Sequence, residues 1–406
     1  MVIKLFLFMI LKNIFNKIIK IPFKMKYNVN DEISVYDYLN SNNPITEILI
    51  GTPPQKIKLK IYFLGHPLMI SGKETNGSYN KEKSLSYIEI GKTICSSEDY
   101  KNLSESKEVI YIQNYKLDNF TFIYPKVSIN NENESYFGVY INPYQIKEYH
   151  FIYQLHKRNI ISNNIYIFDY KNEFEGNLII GDYYHNFDNS YLSEDFIQTN
   201  NDGYSPYIWN LNFDNIYYEN ISIIQKNGCD INPSFNGIIL NKDFQNKIID
   251  NFFKKYINNG KCIINNIKNI SYIECDEKIN INKFGILSLY HRHLNYIFNL
   301  SSNDLFLKKN KKIYFKIVLN EKDFNKCVLG IPLIKKYKII FDYERKIIGL
   351  YTKVNIINSF IKIFILFILI LLCIGLIIYI IIIMKKKRKK RINEIDDNYD
   401  YITKIN

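Results

Sequence analysis

The chain has 406 residues, with 53 Lys+Arg against 40 Asp+Glu and a formal charge of +13. A chain of this length holds one large or two ordinary domains with a sizeable core. Seven of the positive charges form one run, Lys385 to Arg391, where an anionic lipid surface is reason enough for them, so no nucleic-acid partner is implied.

In chain order, Leu5 to Leu11 is a short apolar stretch preceded by Lys4. It is the one candidate for a signal segment, although no small-residue cleavage site follows it. Beyond it, runs of Ile, Tyr, Phe and Val alternate with Asn, Asp and Gly turns, a strand-and-turn pattern. Strands are expected at Thr46 to Ile50, Lys56 to Phe63, Val109 to Ile112, Asn164 to Asp169, Gly176 to Ile180, Ile208 to Phe213, Lys312 to Leu319 and Lys338 to Phe341. Helices are expected at Tyr149 to Asn159 and Lys242 to Lys255. This composition predicts a mostly β architecture in two lobes, with no short repeat that would indicate a propeller.

From Ile363 to Met384 no residue is charged. At about 1.5 Å per residue this reaches roughly 33 Å, enough for a hydrocarbon core of about 30 Å. The basic run that follows predicts a cytoplasmic tail and a single-pass type I protein of the secretory pathway or cell surface. Five cysteines, Cys95, Cys229, Cys262, Cys275 and Cys327, then face an oxidising lumen and are candidates for up to two disulfides. No cysteine pair has metal-site spacing, and neither metal nor cofactor is expected. Sequons stand at Asn76, Asn102, Asn119, Asn133, Asn220, Asn269 and Asn299, in a chain rich enough in Asn to produce them by chance. His291-Arg292-His293 reads as one face of a solvated hairpin. Ser71, Ser96 and Ser97 lack a histidine and acid at triad spacing.

The segment ILIGTPPQ, Ile48 to Gln55, resembles the opening strand and turn of pepsin-like aspartic proteases. The resemblance continues in order through NLIIGDYYHNF, YIWNLNFDNIYYENISI (Tyr207 to Ile223) and LSSNDLF (Leu300 to Phe306). It is fullest in VLGIPLIKKYKIIFDYERKIIGLY, Val328 to Tyr351, and KIPFK near Ile18 to Lys24 looks like a prosegment. A membrane helix behind such a domain is similar to membrane-anchored members of the apicomplexan plasmepsin group. The resemblance implies a bilobal fold. Residues 1–14 would be a hydrophobic N-terminus, 15–42 a prosegment-like stretch, 43–205 and 206–354 the two lobes, 360–384 the membrane helix and 385–406 the tail.

In that family two aspartates, one per lobe on Asp-Thr/Ser-Gly loops, share a proton and activate a water. Here the first position falls on Tyr62, in Tyr62-Phe63-Leu64, and no aspartate lies between Tyr38 and Glu98. The second falls on Asn232, in Asn232-Pro233-Ser234, with Asp230 two residues away as a displaced alternative. A phenol with an ordinary pKa of about 10 cannot replace a carboxylate as base. The loops that brace the active site are kept as Val328-Leu329-Gly330 and Tyr136-Phe137-Gly138, and Tyr100 is the nearest counterpart of the flap tyrosine. Asp342 is assigned to a strand end.

The resemblance therefore implies an inert homologue whose cleft, lined by Tyr62, Leu64, Tyr100, Asn232 and Ser234, binds a peptide or protein. An active endopeptidase using Asp230, and a structural or adhesive ectodomain, are the alternatives. The sequence gives no signal for oligomeric state.

Overall fold

The computed structural model describes residues 17–26, 35–40, 43–63, 66–75, 77–92, 103–126, 134–139, 147–201, 209–219, 221–223, 228–240, 242–267, 270–320, 327–353 and 365–387. Most of the chain, up to residue 352 apart from 188–193, forms one compact unit. It is mostly β, as expected. Among the described residues its strands make sheets of 12, 9 and 4 strands.

The spine of the largest sheet runs Phe196–Asn200, Ile347–Tyr351, Ile340–Asp342, Ile165–Tyr170, Glu175–Ile180, Ile19–Met25, Pro44–Ile50, Gln55–Tyr62, Ser135–Gly138. The hairpin ahead of Tyr62 shows why these residues pair. Ile48, Ile50, Ile57, Leu59 and Ile61 fall at every second position of their strands and are all buried, while Leu49, Lys56 and Lys58 point to solvent. Ile50 lies opposite Gln55 across the turn Gly51-Thr52-Pro53-Pro54. Gly51 takes a φ of 92° there, a conformation open to glycine at no cost. The loop behind locks that turn: Thr52 N–H donates to Ser84 Oγ at 3.0 Å, and Gln55 Nε2 to the Asn80 carbonyl at 2.8 Å.

The stretch expected to resemble a prosegment stands inside this sheet. Ile19–Met25 pairs with Glu175–Ile180 from Ile19 to Lys24, and with Pro44–Ile50 through Lys24 and Met25. Ile19, Ile21, Phe23 and Met25 are buried. The second pairing stops short of Pro22, which has no N–H to give, and the Thr46 hydroxyl caps the Pro22 carbonyl at 2.7 Å. The strands Ile340–Asp342 and Ile347–Tyr351, far downstream, also join this sheet.

The nine-stranded sheet runs Asn210–Leu211, Cys229–Ile231, Cys327–Leu329, Ile238–Ile239, Ile317–Asn320, Ile270–Asp276, Lys312–Phe315, Phe306–Lys309, with Cys262–Ile267 hairpinned onto Ile270–Asp276. Four of the cysteines pair as Cys229–Cys327 and Cys262–Cys275. The smallest sheet holds Ile221–Ile223, Asn215–Tyr218, Leu287–His291 and Tyr296–Leu300.

Several expectations are corrected. The helix at Tyr149 to Asn159 is Phe151–Lys157, preceded by a 3₁₀ turn at Lys147–Tyr149. The helix at Lys242 to Lys255 is broken by a π-helical stretch, Ile249–Phe253, and resumes over Lys254–Asn258. Of the strand expected at Ile208 to Phe213, Ile208 lies outside the described residues, and among the rest only Asn210–Leu211 forms a strand. His291 is no solvated face: it is buried and its Nδ1 accepts the Leu294 N–H at 3.2 Å, while His293 is exposed. The polar alternation is real, but the turn after His291 folds back over it. Asp342 ends a strand as expected, holding the Tyr183 hydroxyl at 2.5 Å.

A second unit comprises 188–193 and 353–406. It contains the helix Ile365–Lys387, whose apolar side chains lie exposed and which is long and apolar enough to cross a membrane. The apolar N-terminus Leu5 to Leu11 and the tail after residue 387 lie outside the described residues.

Candidate functional site

Two parallel strand pairs built on one plan present Tyr62 and Asn232. In the first, Gln55–Tyr62 runs parallel to Ser135–Gly138, with Ile61 opposite Phe137 and Tyr62 opposite Gly138. The Tyr62 carbonyl accepts the Val139 N–H at 2.9 Å. In the second, Cys229–Ile231 runs parallel to Cys327–Leu329, with Asp230 opposite Val328 and Ile231 opposite Leu329. The next residue, Asn232, donates its N–H to the Leu329 carbonyl at 2.9 Å and so sits beside Gly330. Tyr62 and Asn232 thus hold matching positions, each one step past a pair of buried apolar residues and level with a glycine.

Gly330 must be glycine for a packing reason. A Cβ there would meet the Phe235 carbonyl oxygen at 2.0 Å and that of Gly237 at 2.5 Å. The same closeness lets Ile331 N–H donate to the Phe235 carbonyl at 2.8 Å, which ties the Asn232 loop to this strand end.

The chemistry at the two positions differs from that of a carboxylate pair. Asn232 spends its amide oxygen on its own loop: Oδ1 accepts the Ser234 N–H at 2.9 Å, an Asx turn that leaves Nδ2 as a donor. Pro233 is buried, and its carbonyl accepts the hydroxyl of Tyr170 at 2.9 Å. Burial pushes that phenol well above its ordinary value, so it stays a donor. Asn236 fixes the other end of the loop: its Nδ2 donates to the Tyr38 carbonyl at 2.8 Å and its N–H to that of Leu39 at 2.9 Å, anchoring the helix Val35–Asn40. Asp230 is held by Asn210 Nδ2 at 3.0 Å and projects from the strand two residues before Asn232.

At Tyr62 three half-buried rings meet. Tyr62 lies 5.0 Å from His66 and 5.1 Å from Tyr136 by ring centroids, and His66 lies 5.5 Å from Tyr136. The two tyrosines cross at 86°, an edge-to-face contact. At these separations the rings fill one another's faces. Phe63 is buried and packs on Phe341 at 5.2 Å, with Tyr166 and Phe168 around it.

Of the residues expected at the site, Tyr62, Asn232 and Ser234 stand at these two strand ends, all half-buried. Leu64, Tyr100, Cys95, Ser96 and Ser97 lie outside the described residues. Ser71 is buried and donates to the Glu134 carbonyl at 3.2 Å. Among the described residues no group of three or more His, Cys, Asp and Glu could hold a metal. Asn119 and Asn299 are exposed, and the other five sequon asparagines lie outside the described residues. Sequence reading missed His66, His150 and Tyr170. Only pairing across dozens of residues brings them to the site, and no local pattern marks that.

No family model matches the chain, and no curated protein matches it. Among solved structures it is similar to conglutin gamma, a unique basic 7S globulin from lupine seeds, at 12% identity and a TM-score of 0.61. The match covers 85% of this chain and 97% of that one. The likeness is one of fold, a β-rich architecture shared over almost the whole length of the globulin.

Proposed function

We propose that the chain is a membrane-anchored homologue of the pepsin-like aspartic proteases, bilobal in fold, that has lost its catalytic pair and binds a peptide or protein in the cleft. One observation carries this reading. Tyr62 and Asn232 occupy matching register in two similar parallel strand pairs, and neither carries a carboxyl group. An acid–base pair sharing a proton cannot be assembled from a phenol and a carboxamide, and loss of one such group commonly costs on the order of 10^4 in rate. Two buried disulfides fit an oxidising lumen, and the apolar helix Ile365–Lys387 fits a single-pass anchor with the basic run on the cytoplasmic side.

The test uses the full chain purified in detergent. Incubated with a diverse peptide library between pH 4 and 7, it should yield no new termini by mass spectrometry, while retaining a subset of peptides. Tyr62→Glu, which puts a charge in the ring cluster, should abolish that retention. Cleavage that an aspartic protease inhibitor stops and Asp230→Ala abolishes would install the endopeptidase reading instead. If no peptide or protein is retained, the binding role is wrong.

A further inference from the structure

Behind the three-ring cluster stands a buried base that the proposed function does not use. His150 is fully buried, and neither of its ring nitrogens has a hydrogen-bond partner. It precedes the helix Phe151–Lys157 in the N-cap position, yet its side chain makes no capping bond. A buried imidazole in such surroundings is tolerated only when neutral.

The backbone next to His150 is joined to the site by short steps. The neighbouring Tyr149 carbonyl accepts the Leu68 N–H at 2.8 Å. One residue on, Met69 exchanges both backbone bonds with Tyr136, at 2.8 and 2.9 Å. The His66 carbonyl accepts the Gly138 N–H at 3.1 Å. Residues 66–70 therefore lie between the turn that holds His150 and the strand that holds Tyr136. Phe151 packs at a tilt on Phe137 of that strand, ring centroids 4.5 Å apart.

Among the described residues no ionisable group around His150 favours its charge. His66 comes from the loop and Tyr136 from the parallel strand. Tyr149, on its own turn, donates its hydroxyl to Glu105 of Leu103–Ile112 at 2.8 Å. Lys147 and Glu148 on the same turn are exposed. Burial lowers the His150 pKa from 6.5 to about 4, and the charge of His66, a second base, adds to the lowering.

We propose that His150 is an acid-sensitive latch on the Tyr62–His66–Tyr136 cluster: neutral, it packs residues 66–70 closed, and protonated, it seeks water and releases that loop with its rings. That this release regulates ligand binding rests on the proposed function, whereas the transition itself does not. The sign follows from linkage. The packed form has the lower pKa, so its stability is complete above about pH 6.5 and falls as the pH drops from there towards about 4.

The test is amide exchange on the full chain in detergent, corrected for intrinsic rates, at pH 7.5 and 4.5. Residues 66–70, 135–139 and 147–157 should lose protection roughly tenfold or more at the lower pH in the wild type and keep it in His150→Leu. His66→Gln removes the repelling charge, raises the packed form's pKa towards that of the open form, and should move the midpoint to lower pH. An identical acid response in His150→Leu, or an unmoved midpoint in His66→Gln, overturns the latch. Should His150→Leu fail to fold, the His66→Gln shift alone decides. Because the readout is the protein's own amides, failure to find a ligand leaves this result standing, and a failed latch leaves ligand binding open.

Discussion

Cys229 and Cys327 lie directly opposite one another in adjacent parallel strands and are joined by a disulfide, three residues before Asn232 and Gly330 respectively. The bond fastens the two chain segments of the second strand pair at their base. Both cysteines are buried. The first strand pair, Gln55–Tyr62 with Ser135–Gly138, has no cysteine and relies on the ring cluster and on buried Lys60, whose ammonium pairs with Glu134.

Removing this disulfide should therefore cost more than removing the other. Cys229 and Cys327 are 98 residues apart and Cys262 and Cys275 only 13. On loop-entropy grounds the expected losses are about 4.7 and about 3 kcal/mol. Denaturant unfolding of the two double Cys→Ala variants measures both. Equal losses, or a larger one at Cys262–Cys275, would show that loop closure is not what the bonds contribute.

Asn232 allows a substitution that separates structure from chemistry. Asn232→Asp keeps an oxygen for the Ser234 N–H and should change stability by less than about 1 kcal/mol. Asn232→Ala loses that bond and should cost about 1 kcal/mol. Neither should hydrolyse peptides, because Tyr62 supplies no second carboxyl. Peptidase activity appearing in Asn232→Asp alone would mean that a carboxylate elsewhere already completes a pair.

The strand ends that carry Tyr62 and Asn232 could be located in the sequence from short motifs and counting: the Gly51 turn, the eight-residue strand after it, and the Val-Leu-Gly of the second pair. The mostly β class was readable too, since Ile48, Ile50, Ile57, Leu59 and Ile61 alternate at the strand period. What fills the site was not. His66 and Tyr136 meet only because strands more than 70 residues apart pair in parallel, and the Tyr170 hydroxyl reaches the Pro233 carbonyl across 63 residues. His291 misled for a related reason: its burial is decided by the turn after it, while the i, i+2 spacing alone suggests a wet strand face.

Gly330→Ala should be among the most damaging single substitutions in the domain. The added methyl would overlap two backbone carbonyl oxygens, neither of which can rotate away. A loss above about 3 kcal/mol, or failure to accumulate folded protein, is expected from the thermal midpoint. Gly260→Ala is the control: nothing lies within 4 Å of its Cβ, and its cost should be confined to backbone strain at a φ of 68°, of order 1–2 kcal/mol.

The N-terminal strand should belong to the folded protein and resist removal. Phe23 is buried, with the rings of Tyr170 at 5.2 Å and Phe168 at 5.9 Å. Phe23→Ala is expected to cost about 3–5 kcal/mol in denaturant unfolding. A chain beginning at Asn43 would leave Glu175–Ile180 unpaired on one edge and expose the apolar face that Ile19, Ile21, Phe23 and Met25 cover. It should aggregate or unfold. If that truncated chain is as stable as the whole, the strand is dispensable in the way a removable prosegment would be.

Acid should weaken the packing around the Val35–Asn40 helix through Glu173. Burial alone would raise the pKa of this carboxyl. The Lys316 ammonium, 2.8 Å away and itself buried, outweighs that and brings it below the ordinary value, helped by Lys335 and by the Tyr38 hydroxyl at 3.4 Å. A carboxyl whose folded pKa is depressed stabilises the fold at pH values above its unfolded pKa and loses that contribution as the pH falls through the folded one. Glu173→Gln should therefore lower stability at neutral pH while flattening its fall below about pH 4.5. The charge of Lys316 is then left without its partner, so the loss at pH 7 should exceed that of an exposed ion pair, about 1 kcal/mol or less. Parallel unfolding curves for the two proteins across pH 3 to 7 would contradict this, because they would mean that the Glu173 charge does nothing for the fold.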